Sequence, residues 1–283
     1  ALPNVQKQIF TQLTDLIGSI APNSESGRAL VAYTVQQILE RCVCAIIDQY
    51  RPGNLIVSGG CFYNVKLSGT VLQRISGKLC VYPLAGDQGN GIGLYAATHP
   101  EFTFPDHLFW GERDLINAAD VAGLQVLPAD QAFRAAKLII QDVGYVNLVR
   151  GAMEFGPRAL CNTSTLALPT MQCVSEINYM NERNTVMPMA PVVTPSAYMR
   201  LFLDTPRVWK SHEYMVIALQ YKSNVIDDGY RGAAHEYTLP YKHFTGRPQV
   251  THDPQMIDLL NTFGGMLINT SFNYHGRPIA YDF

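Results

Sequence analysis

The sequence lacks HxxxH and HExxH pairs and any CxxC, although it carries 7 histidines and 6 cysteines. A metal centre built wholly from this chain is therefore not expected. It also lacks a run of about 18 apolar residues and a charged-then-apolar leader, so neither a membrane span nor a secretory signal is expected. The cytoplasm is the expected location, and the cysteines are expected to stay reduced. Cys42 and Cys44 lie two apart on a helical pattern and face different sides. Basic excess is missing too: 21 Lys and Arg against 23 Asp and Glu leave a formal charge of −2, which argues against polymeric nucleic acid as a partner. Gly89, Gly91 and Gly93 follow GxGxG rather than GxGxxG, and no acidic residue ends a strand about 20 residues later, which excludes a dinucleotide loop. Internal repeats and low-complexity tracts are absent.

What is present suits a folded protein. Hydrophobic residues make up 47% and charged residues 16% of 283, enough for one large domain or two ordinary ones. The periodicity of Val31, Val35, Ile38, Leu39, Cys42, Ile46 and Ile47 predicts a helix over 28–50. Arg51-Pro-Gly-Asn54 stops it. Leu55-Ile-Val57 then reads as a buried strand running into Ser58-Gly-Gly60, an α/β type of unit. Leu79–Tyr82 is a second strand, leading through Gly86-Asp87-Gln-Gly89 to a helix that ends near Ala97. Pro128 opens a helix with Phe133, Ala136, Leu138 and Ile139 as its apolar face, and Val143–Val149 is a strand. Asp253-Pro254 has the N-cap and first-turn proline of a helix start. That helix ends at Gly264-Gly265, and Met266-Leu-Ile268 is the next strand. The chain starts at Ala1 and stops at Phe283 without a closing helix, which suggests a fragment or one subunit.

Three segments carry chemistry. In Glu154-Phe-Gly-Pro-Arg158-Ala-Leu-Cys-Asn162-Thr-Ser164, Gly156-Pro157 cannot lie inside a helix, so Arg158 is presented from a bend. There its planar fork can grip a carboxylate or phosphate, or simply pair with Glu154 to pin the loop. In Ser58-Gly-Gly60-Cys-Phe-Tyr-Asn64, glycines let backbone N–H groups approach an oxygen-rich ligand. Asn269-Thr-Ser271-Phe-Asn273 follows a strand and offers hydroxyl and amide groups. From pattern alone, Asp87 caps the helix starting near Asn90.

In this order the segments resemble the O-carbamoyltransferases of nodulation-factor and antibiotic biosynthesis, from about residue 28 to the end. The resemblance implies an α/β chain in three parts. Residues 1–100 would be the second half of an actin-like (ribonuclease H-like) carbamoyl-transfer domain and 101–127 a connection. Residues 128–283 would be an α/β carbamoyl-adenylate-forming domain related to the threonylcarbamoyl-adenylate synthase fold. The implied reaction takes carbamoyl phosphate and ATP, with Mg, to carbamoyl-adenylate and pyrophosphate, then passes the carbamoyl group to a hydroxyl on a sugar, antibiotic or nucleotide. Arg158, Arg183, Arg247, Ser271 and Asn273 would serve the catalysis, the arginines offsetting repulsion between anionic oxygens. Ser58, Gly59, Gly60, Asn64, Gly86, Gly89, Asn162 and Ser164 would bind nucleotide or phosphate. Asp87 would ligate a divalent metal, iron by the resemblance, beside two histidines of an HxxxH helix. This chain has no such helix, so another polypeptide or a missing segment must supply it.

The chain also departs from the family. Asn181 stands where a lysine is usual and Met187 where an arginine is usual, and the HxDGT segment is shortened to His243-Phe-Thr-Gly. Those losses leave a second reading open, a non-catalytic nucleotide- or phosphate-binding subunit that kept the scaffold. A subunit for RNA modification is disfavoured by the charge balance.

Overall fold

The computed structural model describes residues 24–103, 106–111, 126–183, 189–222, 229–237 and 243–279, with Thr11, Gln12, Thr14, Asp15 and Gly18. The fold is mixed α/β. The first part contains helix α1 (Glu25–Tyr50), strand β1 (Leu55–Val57), helix α2 (Val65–Arg74), strand β2 (Leu79–Val81) and helix α3 (Asn90–Thr98). β1 and β2 pair in parallel, Leu55 opposite Leu79.

The second part continues with helix α4 (Ala129–Val143), strands β3 (Tyr145–Val149) and β4 (Thr163–Ala167), helix α5 (Met171–Met180), strand β5 (Ala190–Val193) and helix α6 (Pro195–Leu201). Strands β6 (Leu219–Gln220), β7 (His235–Tyr237), β8 (His243–Gly246) and β9 (Gln249–Val250), helix α7 (Pro254–Thr262) and strand β10 (Met266–Ser271) complete it. A five-stranded sheet has the order β3-β4-β10-β5-β9, and a three-stranded sheet the order β6-β8-β7. The larger sheet is mixed, because β5 and β9 run parallel while β10 pairs antiparallel with β4 and β5.

Alternation along the strands divides the core between two faces. Leu166, Val192 and Leu267 pack with Phe133 and Ile140 of α4 and Met256, Leu259 and Leu260 of α7. Ala167, Val193 and Ile268 enter a larger cluster that also holds Ile47, Val57, Leu67 and Leu79. The two ends of the chain thus share one core.

Residues 205–219 stitch the first part onto the second. Leu79 bridges Val208 in parallel, and the Trp209 N–H donates to the Leu79 carbonyl at 2.9 Å. Val81 N–H donates to Ser211 Oγ at 2.6 Å. Arg207 Nη2 donates to the Leu72 carbonyl at 2.6 Å and also to that of Ile75, while Nε reaches the Gly77 carbonyl at 3.3 Å. Arg207 therefore satisfies carbonyls at the C-terminal end of α2, which a helix cannot pair internally. A Cβ on Gly69 would lie 2.8 Å from the Ala218 carbonyl oxygen, so only glycine allows α2 to sit this close.

Several expectations are corrected. On α4 the buried residues are Phe133, Ala136 and Ile140, whereas Leu138 is 66% exposed. The expected Leu138–Ile139 pair is adjacent in sequence and cannot share the face set by Phe133 and Ile140. Val143 ends α4, and Gly144 at φ +96° caps it. Asp87 does not cap α3, whose N-cap is Gly89 without a side-chain bond. It instead opens a short 3-10 turn, Asp87–Gly89.

The largest correction concerns α1. It buries Gly27, Glu40, Cys44 and Ile47, while Val35, Ile38 and Ile46 of the expected apolar stripe are 47%, 40% and 58% exposed. The stripe has helical spacing, but only part of it turns inward: Ile47 is buried and Leu39 packs against the core, whereas those three face outward. Gln36 Nε2 donates to Glu40 and Asn64 Nδ2 donates to Gln36 Oε1 at 2.7 Å, so a polar clasp fixes which side turns inward. α1 is also long and apolar enough to cross a membrane, with mean hydropathy 1.4 over its best window. Counting uninterrupted apolar residues missed this, because Glu40-Arg41 breaks the run without lowering the average far.

Candidate anion-binding site

The site grows from the loop between β3 and β4. Glu154 does not pair with Arg158. It is buried, and its Oε1 accepts backbone N–H groups from Leu160, Asn162 and Thr163 at 2.6, 2.8 and 3.1 Å. Three donors on one carboxylate oxygen bend the loop around it. Gly156 supplies φ +128° and Cys161 sits at φ +77°, a conformation a cysteine holds only when its surroundings over-determine it. Those surroundings are Asn269, whose Nδ2 donates to the Ala159 carbonyl at 2.9 Å and to Gln249 Oε1 at 2.6 Å, and the Cys161–Gln249 contact at 3.6 Å. Burial pushes the Cys161 thiol up to about 12, so it stays protonated and holds the loop.

With Glu154 committed to the backbone, Arg158 has no counter-charge. Its Nε is buried without a partner, and burial lowers its pKa. Arg247, which follows β8, is pushed down to about 10, first by burial and then by the charge of Arg158. Both keep some surface open while the protein closes around them. Among the described residues no carboxylate lies within ion-pairing distance of either. Two neighbouring half-buried guanidinium groups without an acid cost free energy, and an anion between them offsets that cost.

The first part of the chain reaches this place through Tyr63. Its hydroxyl accepts the Gly86 N–H at 3.0 Å and also pairs with Gln88, and it lies close enough to Arg158 to bear on it. Gly59 N–H donates to the Ala85 carbonyl at 2.9 Å, joining the two glycine turns. Gly59 lies at φ +109°, and a Cβ on Gly59 or Gly60 would meet nothing within 4 Å. Ser58, Gly59 and Gly60 are exposed. A Cβ on Gly86 would collide with Tyr63 and Gln88, and one on Gly89 with the Leu84 carbonyl oxygen at 2.2 Å.

Other expected residues are placed differently. Asn64 caps α2 by accepting the Leu67 N–H at 3.1 Å. Asn162 Nδ2 donates to the Ala152 carbonyl at 2.6 Å, and Ser164 Oγ accepts from Cys161 N–H at 3.0 Å, so both side chains bond within the loop itself. Arg183 donates to Thr270 Oγ1 at 2.8 Å and to the Ser271 carbonyl at 3.5 Å, and Ser271 Oγ bonds Asn273 Oδ1. Burial lowers the pKa of Arg183. Asn181 is buried, its Nδ2 lacks a partner, and its carbonyl accepts the His275 N–H at 2.8 Å. Met187 lies outside the described residues. Asp87 is exposed, and among the described residues no group of three His, Cys, Asp or Glu side chains could hold a metal ion.

Sequence reasoning missed Tyr63, Lys66 and His235. Tyr63 stands inside the Ser58–Asn64 segment, and Lys66 is in the first turn of the helix that follows. No motif in the sequence singles out His235.

A mixed α/β fold thus presents uncompensated arginines beside paired glycine turns, an arrangement with the chemistry to hold an anion. Residues 136–282 match the family model described as carbamoyltransferase C-terminus, and the chain belongs to that family. An uncharacterized protein of Methanocaldococcus jannaschii is 28% identical over 271 residues, covering 87% of this chain and 50% of that protein. Nodulation protein U of Rhizobium tropici is 27% identical over 252 residues, covering 82% and 40%. The 3'-hydroxymethylcephem-O-carbamoyltransferase of Amycolatopsis lactamdurans is 27% identical over 238 residues, covering 79% and 43%. The chain therefore spans about half the length, or less, of these curated relatives.

Proposed function

We propose that this chain is the C-terminal part of an ATP-dependent O-carbamoyltransferase. Its second part forms carbamoyl-adenylate from carbamoyl phosphate and ATP, and its first part contributes to passing the carbamoyl group to an acceptor hydroxyl. The juxtaposition of Arg158 and Arg247 without an acid carries this reading. Joining the two substrates crowds anionic oxygens together, and two preorganised cations offset that repulsion without reorganising during the reaction. Water cleaves the P–O bond of carbamoyl phosphate to release phosphate and leave carbamate, whose oxygen then attacks the α-phosphorus of ATP and displaces pyrophosphate; the same cations stabilise the departing charge. The exposed Ser58-Gly59-Gly60 turn offers backbone N–H groups to a nucleotide, with Mg accompanying ATP. In this reading residues 1–100 complete an actin-like transfer domain and 128–283 are the adenylate-forming domain.

The donors present do not fit a transition metal. Asp87 alone is not a coordination sphere, so a metal would require histidines from another segment or chain. The outward stripe of α1 gives that segment an apolar face to cover. The second reading, an inert scaffold, is favoured by Asn181, which puts a neutral buried amide where the family places a lysine.

The test is pyrophosphate release by the 283-residue chain given ATP and carbamoyl phosphate. Release is expected, and Arg158→Ala or Arg247→Ala should weaken binding of carbamoyl phosphate by about 1.5–3 kcal/mol, the range for hydrogen bonds to charged groups. Unchanged affinity in both variants would overturn the site. ATP binding without pyrophosphate release would favour the scaffold.

A further inference from the structure

His235 begins β7 and pairs with Thr245 of β8, two residues before Arg247. Its Nε2 is buried and has no hydrogen-bond partner. Arg247 and Lys66 both bear on the ring, Lys66 from the start of α2 and Arg247 from the end of β8. A buried nitrogen without a partner is costly, and here it stands beside Arg247, one of the two cations already assigned to the anion.

The surroundings decide which role this nitrogen can play. Burial, then Arg247, then Lys66 push the ring down to about 4, so the imidazole is neutral at physiological pH. Nearby cations favour the tautomer that turns a lone pair toward them rather than an N–H. A neutral acceptor has nothing to offer the oxygens of an acyl phosphate dianion, which carry no proton to give. It suits an N–H or O–H donor attached next to the phosphate.

Building on the proposed function, we propose that His235 is a specificity-determining residue that accepts an N–H from the amide end of a carbamoyl group while Arg158 and Arg247 hold the adjoining phosphate. Acetyl phosphate has a methyl group where carbamoyl phosphate has NH2, with nearly the same shape. It would fill the same space and leave Nε2 unpaired. Sites that hydrogen-bond a substrate group discriminate strongly against an analogue lacking it, because the buried partner is stranded.

The test measures calorimetric binding of carbamoyl phosphate, acetyl phosphate and inorganic phosphate to the 283-residue chain. The unaltered protein should prefer carbamoyl over acetyl phosphate by about tenfold or more. In His235→Leu the two should bind within about threefold of each other while inorganic phosphate keeps its affinity. His235→Asn, which retains an acceptor, should recover part of the preference and guards against a folding defect in the leucine variant. Equal binding of both acyl phosphates by the unaltered protein, or a preference that survives in His235→Leu, overturns the assignment. A variant that loses inorganic phosphate as well shows that His235 acts as a cation and also overturns it. If none of the three anions binds the unaltered protein, the anion site itself is wrong.

Discussion

At the scale of single residues, the decisive arrangement is a pairing that does not form. Glu154 and Arg158 lie four apart in a loop and could have neutralised each other. Backbone N–H groups claim Glu154 instead, and the arginine is left for a ligand. Glu154→Ala should therefore have two effects. It strands buried donors from Leu160, Asn162 and Thr163, each worth about 1–3 kcal/mol when unsatisfied, so the urea midpoint should fall sharply with little change in slope. Phosphate affinity should fall with it, because the bend that presents Arg158 is gone. A midpoint within error of the unaltered protein would show that the three hydrogen bonds do not hold the loop.

At the scale of elements, the sequence was most legible where local signals and packing agreed. Asp253 caps α7 by accepting the Gln255 N–H at 2.9 Å, as the Asp-Pro start implied, and β1 falls on Leu55–Val57 as read, although Ile56 is 66% exposed and only Val57 is buried. β4 was not legible, because Thr163-Ser-Thr-Leu-Ala167 is fully buried yet half hydroxylic and shows no apolar alternation. The candidate site was legible only in part. Arg158 and Arg247 could be picked out from their segments, but their closeness depends on β8 returning beside the loop, which no local pattern encodes. On α1 the periodicity was right and Ile47 does turn inward, but Val35, Ile38 and Ile46 do not, since the Gln36–Glu40–Asn64 clasp lies at positions that read as polar surface. A testable consequence concerns its outward face. Ile38→Glu with Ile46→Lys should change the stability of this chain by no more than about 0.5 kcal/mol, as exposed substitutions do. The same pair should abolish association with a polypeptide corresponding to the part of the longer relatives not spanned here, read by co-elution. Stable co-elution despite both charges would show that the partner docks elsewhere.

At the scale of the whole molecule, the chain spans half or less of each related protein described above, and the proposed chemistry divides accordingly. The 283 residues alone should hold less than stoichiometric iron or zinc, because Asp87 has no histidine companions. Elemental analysis finding one tightly held ion per chain would refute the division. With the complementary segment restored, Asp87→Ala should abolish carbamoyl transfer and leave pyrophosphate release unchanged.

Arg207 and Ser211 also set a timetable for making the protein. They close hydrogen bonds to residues about 130 positions earlier, on α2 and β2. At translation rates of roughly 5–20 residues per second, α2 and β2 leave the ribosome on the order of ten seconds before their partners exist. During that interval the carbonyls at the end of α2 and one edge of β2 face solvent unpaired. A chaperone that shields a nascent strand edge should raise the yield of this chain, and codons that slow synthesis between residues 81 and 207 should lower it.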